Sequence, residues 1–157
     1  NLAENLVLKS YHHKEFQSGG FIKFGEVYDH AEKLIEQFDI RSGQGAITTA
    51  RSMSGGNQQK AIVAREIDLA PDVLLAVQPT RGLDVGAIEY IHKQLVKVRD
   101  EGKAVLLVSL ELDEVLNVSD RILVIYEGEI VAEVDAKNAN AQELGLYMAG
   151  SKREDVK

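Results

Sequence analysis

The apolar residues of this chain recur first with a helical period and later in short unbroken runs. Residues 1–9 have apolar positions at loosely helical spacing, and the glycine-containing residues 10–24 predict a loop. Over residues 25–39 the apolar positions recur every three or four residues with charged ones between them, which predicts an amphipathic helix. Residues 41–51 are polar, and after them Ser54 is a suitable N-cap for a helix over about residues 57–69.

The unbroken apolar runs lie in the second half of the chain. There are three of them, at Val73–Val77, Ala104–Val108 and residues 122–126. Runs without polar positions are typical of strands in a parallel sheet that is covered on both faces. We therefore expect three buried parallel strands.

Helical patterns fill the intervals between these runs. Residues 85–99 and 111–116 are amphipathic and predict two connecting helices. Glu127-Gly128 predicts a tight turn into a returning strand over residues 129–134, and residues 140–149 predict a last helix. Strands that alternate with helices in this way indicate an α/β doubly wound core.

The composition is that of a globular domain. Of the 157 residues 45% are hydrophobic and 27% charged, and the formal net charge of −7 argues against a nucleic acid partner. The absence of cysteine excludes disulfides and thiolate ligands. No apolar run approaches the roughly 20 residues that cross a bilayer. The chain begins with Asn1 rather than Met, so we expect it to be part of a longer protein.

The most informative chemistry lies in residues 51–60, Arg-Ser-Met-Ser-Gly-Gly-Asn-Gln-Gln-Lys. A hydroxyl and two glycines at the start of a helix leave the first-turn N–H groups free and let an anion approach the backbone. Taken alone, Ser54-Gly55-Gly56 is more often a plain N-cap with a flexible entry loop. The four histidines have no metal-ligand spacing, so no metal site is predicted.

The order of motifs resembles the ATP-binding cassette (ABC) ATPase family. Residues 53–57, Met-Ser-Gly-Gly-Asn, are similar to its signature motif, and Gln58 follows as it often does there. Val73–Val77 resembles the Walker B strand, and Gly82-Leu83-Asp84 resembles the D-loop, so Asp84 is the expected D-loop carboxylate.

In detail the chain is similar to the second nucleotide-binding domain of the fused ATPase subunit of simple-sugar and nucleoside importers. Arg81 and the closing residues 143–150, Glu-Leu-Gly-Leu-Tyr-Met-Ala-Gly, carry this likeness. The resemblance implies a P-loop NTPase-like fold with a truncated parallel-sheet core. Residues 1–52 would be the helical subdomain, and residues 53–157 the C-terminal part of the α/β ATPase core.

Three positions depart from the catalytic pattern of the family. Val77 stands where a Walker B carboxylate would hold a Mg²⁺-bound water. Gln78 stands where a glutamate would take the proton of the attacking water, which an amide cannot do. Leu110 stands at the position of the switch histidine. No P-loop sequence occurs either, and we expect it to lie upstream of this chain.

The resemblance implies how the parts are used. ABC domains work as head-to-tail pairs, so Ser54, Gly55, Gly56, Asn57 and Gln58 would contact ATP held by a sister nucleotide-binding domain. The complete assembly would use ATP and Mg²⁺, whereas this part alone would bind neither tightly and would hydrolyse no ATP. Residues 1–52 would face a membrane permease at the cytoplasmic face of the cell membrane, and the transported solute would be a sugar or nucleoside.

Two other classes of function stay open at this point. One is a non-transport ABC ATPase of DNA repair or translation, against which the acidic charge and the importer-like segment around Arg81 count. The other is a scaffold module that has kept the fold and lost ATP. The resemblance also implies that the P-loop strand, between the strands at residues 104–108 and 122–126, and the helix after it are missing here. Their absence would leave unpaired strand edges and uncover part of one sheet face, so we expect the isolated chain to self-associate rather than close up as a monomer.

Overall fold

A computed structural model describes residues 1–154, so residues 155–157 of the predicted second part lie outside the described residues. The α-helices are α1 (Leu2–Leu6), α2 (Phe24–Gln37), α3 (Gly55–Asp68), α4 (Val85–Asp100), α5 (Leu112–Val118) and α6 (Ala141–Met148). The strands are β1 (Gln17–Ser18), β2 (Phe21–Ile22), β3 (Val73–Val77), β4 (Ala104–Val108), β5 (Arg121–Tyr126) and β6 (Glu129–Asp135). Short 3₁₀ turns lie at Gly45–Ile47, Ala50–Ser52 and Ala136–Asn138.

The chain forms two compact units. The first comprises Asn1–Leu74 and Pro79–Leu106, and the second comprises Leu75–Gln78 and the chain from Leu107 onward. This division by contacts does not test the predicted subdomains, so their boundary near residue 52 stays a prediction. None of the described helices is both long and apolar enough to cross a membrane.

Helices α1, α2 and α3 surround the core of the first unit. The side chains of Leu2, Leu6 and Phe38 are almost completely buried there, and Asn1 and Glu4 close a capping box at the start of α1. The amphipathic pattern predicted α2 correctly, since its apolar face, including Val27, packs into this core.

The segment predicted as a loop, residues 10–24, contains a short hairpin. β1 and β2 pair antiparallel, with Gln17 opposite Ile22. Gly19 and Gly20 make the turn with φ of 57° and 85°, angles that glycine adopts without strain. Strands of two residues are too short for a period of two to be visible, so the sequence pattern could not predict them.

β3 and β4 pair with each other and run parallel, the orientation that was predicted, and one side of β3 is exposed. The Ala104 N–H donates to Asp72 (3.0 Å) and the Gln78 N–H donates to Val108 (2.8 Å), so the two strands run in the same direction. In β3, Leu74 and Ala76 are buried, whereas the alternate side chains are about 60% exposed. Burial on both sides, expected from the apolar run, is therefore not found within residues 1–154, and one side of β3 is exposed, as the expected absence of the helix after the P-loop implied.

The third apolar run forms β5, which pairs antiparallel with β6. The turn at Glu127-Gly128, where both residues have positive φ, was predicted correctly and joins the two strands. Parallel pairing of β5 is not found within residues 1–154, since the described strands form three two-stranded sheets. Helix α6 packs on this hairpin and buries Leu144 and Tyr147 completely.

Gly150 ends α6 in a conformation that excludes a larger residue. Its φ is 69°, and a Cβ atom at this position would overlap the ring of Tyr126. We expect Gly150→Ala to lower the free energy of unfolding by about 1–2 kcal/mol from the left-handed backbone alone. Gly145→Ala, inside α6 with nothing within 4 Å of the new methyl group, should instead stabilise the chain by up to about 1 kcal/mol.

Urea denaturation of the two variants and the parent chain measures this difference. Equal stabilities for Gly150→Ala and the parent would contradict the contact between this turn and Tyr126.

Candidate functional site

Ser54 is the N-cap of helix α3, as predicted, and the helix begins at Gly55, two residues earlier than the sequence pattern suggested. Its backbone is extended (φ −64°, ψ 153°), and its hydroxyl oxygen accepts a hydrogen bond from the N–H of Asn57 (3.4 Å). The helix therefore contains both glycines in its first turn. Local apolar periodicity could not place this start, because Gly55 and Gly56 have no side chains to contribute to it.

The first turn of α3 is open to an incoming ligand. Ser54 and Gly55 are exposed, and a Cβ atom at Gly55 would have no neighbour within 4 Å. The first N–H groups of a helix have no partner within it, and the helix dipole places partial positive charge there. This arrangement suits an anion such as a phosphate group.

Asn57 and Gln58 fasten the first turn to the preceding chain. The Asn57 side chain accepts a hydrogen bond from the N–H of Arg41 (2.8 Å) and donates one to the Ser54 hydroxyl oxygen (2.9 Å). The Gln58 amide donates to the carbonyl of Met53 (2.8 Å), whose side chain lies in the core of the first unit. Both predicted residues therefore fix the first turn of α3 to the residues that precede it.

Asp84, the expected D-loop carboxylate, lies next to this turn. Its carboxylate caps α4 by accepting a hydrogen bond from the N–H of Ala87 (3.0 Å). A Cβ atom at Gly56 would lie 3.3 Å from the Ala87 methyl group and 3.7 Å from the Asp84 carboxylate. The structure therefore brings Ser54, Gly55, Gly56, Asn57, Gln58 and Asp84 together within the first unit.

A buried lysine that the sequence analysis missed lies one turn further along α3. The Lys60 ammonium group donates to the carboxylate (2.7 Å) and the carbonyl (2.8 Å) of Asp39, and it lies 4.5 Å from the centre of the Tyr90 ring. This hydrogen bond lowers the pKa of Asp39, and burial, with the nearby Asp39 charge, raises the pKa of Tyr90 to about 12. Tyr90 is therefore neutral at pH 7 and offers its ring face to the cation.

The three positions that the sequence analysis predicts to depart from the catalytic pattern lie in the second unit. Val77 ends β3, Gln78 follows it with φ of 49°, and Leu110 follows the end of β4. The side chains of Val77 and Leu110 are 59% and 75% exposed. The carboxyl ends of parallel strands are the usual place for catalytic groups, and here these positions present two aliphatic side chains and an amide.

Metal ligands are not clustered in the part of the chain that the structure describes. Within residues 1–154, no group of three or more His, Asp or Glu side chains is arranged to hold a metal ion.

Comparisons with known proteins were made on the whole chain, and no protein-family model matches it. The guanosine import ATP-binding protein NupO of Bacillus subtilis is 54% identical over 155 residues, 99% of this chain and 30% of that protein. The nucleoside import ATP-binding protein NupA of Lactococcus lactis is 56% identical over 149 residues, 95% of this chain and 29% of that protein. The chain thus spans less than a third of the length of these relatives.

The solved structures that the chain resembles are also ATP-binding cassettes. The dimeric ATP-binding cassette MJ0796, in a post-hydrolysis state bound to ADP and Pi, matches with a TM-score of 0.67 at 25% identity. The match covers 87% of this chain and 56% of that chain. MJ1267, an ATP-binding cassette of an ABC transporter, shares the fold with a TM-score of 0.68 over 94% of this chain. In sequence and in fold the chain is therefore similar to ATP-binding cassette ATPases, the family that its motifs resemble.

Proposed function

We propose that this chain is part of the ATP-binding subunit of an ABC importer for nucleosides or sugars. Within that subunit it supplies residues 53–58, the signature segment, to an ATP molecule bound by a sister nucleotide-binding domain. The observation that carries the proposal is the open first turn of α3, where Ser54 and Gly55 are exposed and the space beside Gly55 is free. The first N–H groups of a helix also lack a partner within it. The import functions in the names of its relatives support the solute class.

The first turn of α3 fits a phosphate group well. The backbone N–H groups of Gly55 and Gly56 and the hydroxyl of Ser54 are donors, and the space beside Gly55 is free. ATP would supply the phosphoryl group whose transfer to water drives transport. This chain's contribution is to donate hydrogen bonds to the charge on that group, while Asp84 holds the start of α4 beside the turn.

The nucleotide site that this chain would form on its own side is degenerate in our proposal. Val77 cannot bind a Mg²⁺-bound water, Gln78 cannot accept a proton, and Leu110 cannot donate a hydrogen bond. Mg²⁺ in the assembly would therefore be held by the sister domain together with ATP.

We assign the permease-facing role to residues 1–52. The short hairpin and its flanks expose Tyr11, Phe21 and Phe24, with Phe21 81% accessible to solvent. Aromatic side chains at a surface are typical anchors of protein interfaces. The subunit would accordingly lie at the cytoplasmic face of the membrane, held there by the permease.

Co-purification tests the importer proposal. The complete ATP-binding subunit, expressed at natural levels with an affinity tag, should retain a polytopic membrane permease after detergent extraction. A matched variant, Phe21→Lys, should lose the permease while keeping its melting temperature, because Phe21 contributes little to the core. Recovery with ribosomes or DNA, and without a permease, would instead support a non-transport ABC ATPase.

We also propose that the isolated 157-residue chain associates with a second copy of itself. Leu75, Val77, Leu106 and Val108 expose aliphatic side chains on two neighbouring strands, all more than 40% accessible. Exposed apolar strands with unpaired edges are templates for pairing with another chain. Light scattering over a dilution series should show a dimer that dissociates on dilution, and a monomer at every concentration would reject this proposal.

A further inference from the structure

Two side chains of α3 hold the segment that follows α2. Asn57 and Lys60 are three residues apart, so they lie on the same face of the helix. Asn57 accepts from the N–H of Arg41, and Lys60 donates twice to Asp39. Residues 39–41 are thus fixed against the first two turns of α3, and Ile40 between them is buried.

The bond to Arg41 determines how the Asn57 amide is oriented. A backbone N–H can only donate, so the atom facing Arg41 must be the amide oxygen. The amide NH₂ group then faces the opposite way, toward the Ser54 hydroxyl oxygen at 2.9 Å. The orientation follows from the chemistry of the partners and leaves no choice between the two ends of the amide.

This orientation in turn decides what the Ser54 hydroxyl can do. An NH₂ group can only donate, so the Ser54 oxygen must accept, and it accepts a second, longer bond from the N–H of Asn57. Among residues 1–154 no hydrogen bond given by the structure uses the hydroxyl proton of Ser54. The proton is therefore directed away from Asn57 and is available to an acceptor outside the turn.

We propose that Asn57 is a positioning residue that fixes the Ser54 hydroxyl as a donor to the phosphate of ATP. Its side-chain amide accepts from the backbone of Arg41, which follows α2 in the chain, and donates to the serine. The inference rests on the proposed function, since it assumes that the signature segment contacts ATP in a sister domain. It goes beyond that function by giving Asn57 a role through Ser54 in place of a contact with the nucleotide.

A double-mutant cycle tests the inference in the complete ATP-binding subunit, assembled with its sister domain and permease and supplied with Mg-ATP. Asn57→Leu has nearly the same size but neither donates nor accepts, so it should lower ATP hydrolysis about tenfold or more, toward the loss expected for a missing donor. In a Ser54→Ala background, the same change should cost almost nothing further, because the hydroxyl it positions is gone.

Asn57→Asp separates positioning from folding. Aspartate still accepts from Arg41, and a carboxylate in the first turn of a helix is favourable, so the melting temperature should be unchanged or higher. It cannot donate to Ser54, and the serine should then donate its proton to the carboxylate. ATP hydrolysis should fall although the protein is as stable as before. Gln59→Leu is the control for Asn57→Leu, since it also replaces an amide of α3 with an aliphatic side chain. It should leave ATP hydrolysis unchanged.

Each result bears on one claim. Full activity of Asn57→Leu, with Ser54→Ala impaired, would overturn the positioning role and leave the proposed function intact. Effects of Asn57→Leu and Ser54→Ala that multiply would also overturn it, since Asn57 would then act on ATP independently. Full activity of Ser54→Ala would overturn the proposed function and the inference with it.

Discussion

Replacing Ser54 with alanine in the complete ATP-binding subunit is expected to slow ATP hydrolysis by about 10²–10³-fold. Ser54 is exposed, its hydroxyl oxygen accepts a hydrogen bond from the Asn57 amide, and the N–H groups of Gly55 and Gly56 beside it have no partner within the helix. Loss of one preorganised donor in comparable anion-stabilising sites has an effect of about that size. Gly55→Asp should be at least as harmful, because a carboxylate would face the phosphate. Steady-state phosphate release measures both variants.

The controls separate chemistry from folding. Ser54→Ala also removes a helix cap, which costs about 1 kcal/mol, whereas Ser54→Gly costs only a few tenths and should lose as much activity. Gly55→Ala adds an uncharged methyl group at the same place, so comparing it with Gly55→Asp separates the effect of charge from that of bulk. Asn140→Ala removes the cap of α6 and should lower stability without changing hydrolysis. Equal activity of Ser54→Gly and the parent would contradict the assignment.

The second large effect concerns ATP hydrolysis at the nucleotide site that this chain would form itself. The isolated chain is expected to hydrolyse no ATP above background, and Gln78→Glu should restore almost none. A glutamate would supply a proton acceptor, but Val77 and Leu110 would still lack the groups that hold the metal-bound water and the phosphate. Single-turnover assays of the purified chain and its Gln78→Glu variant measure this.

The control for this prediction is Gln59→Glu, which introduces the same charge elsewhere on the surface. If Gln78→Glu alone restored full hydrolysis, the proposal that this chain acts only on the sister domain's ATP would be wrong.

Much of the fold was predictable because it depends on local patterns. The amphipathic period predicted α2 and α4, and the turn at Glu127-Gly128 predicted the hairpin of β5 and β6. Burial was not predictable in the same way, since an apolar run does not show whether a second layer covers it. Leu75 and Val77 have the composition of buried residues and are nevertheless exposed.

In the candidate site, too, local motifs were predictable and contacts between distant residues were not. The residues from Ser54 to Gln58 were recognisable because the motif is contiguous, and Asp84 because its segment resembles a known one. The bond from Arg41 to Asn57 and the ion pair of Asp39 with Lys60 join residues 16 and 21 positions apart. No local pattern marks such pairs, since a lysine on a helix is usually solvated and gives no sign of its partner.

Crosslinking from the position of Ser54 tests most directly whether this chain contacts ATP held by a sister domain. The chain contains no cysteine, so Ser54→Cys places one thiol where the hydroxyl lies. In an otherwise cysteine-free subunit, an ATP analogue with a thiol-reactive group on its γ-phosphate should label this cysteine. We expect labelling only when the sister domain is present, and excess ATP should prevent it. Equal labelling of the isolated chain, or none in the assembly, would contradict the account.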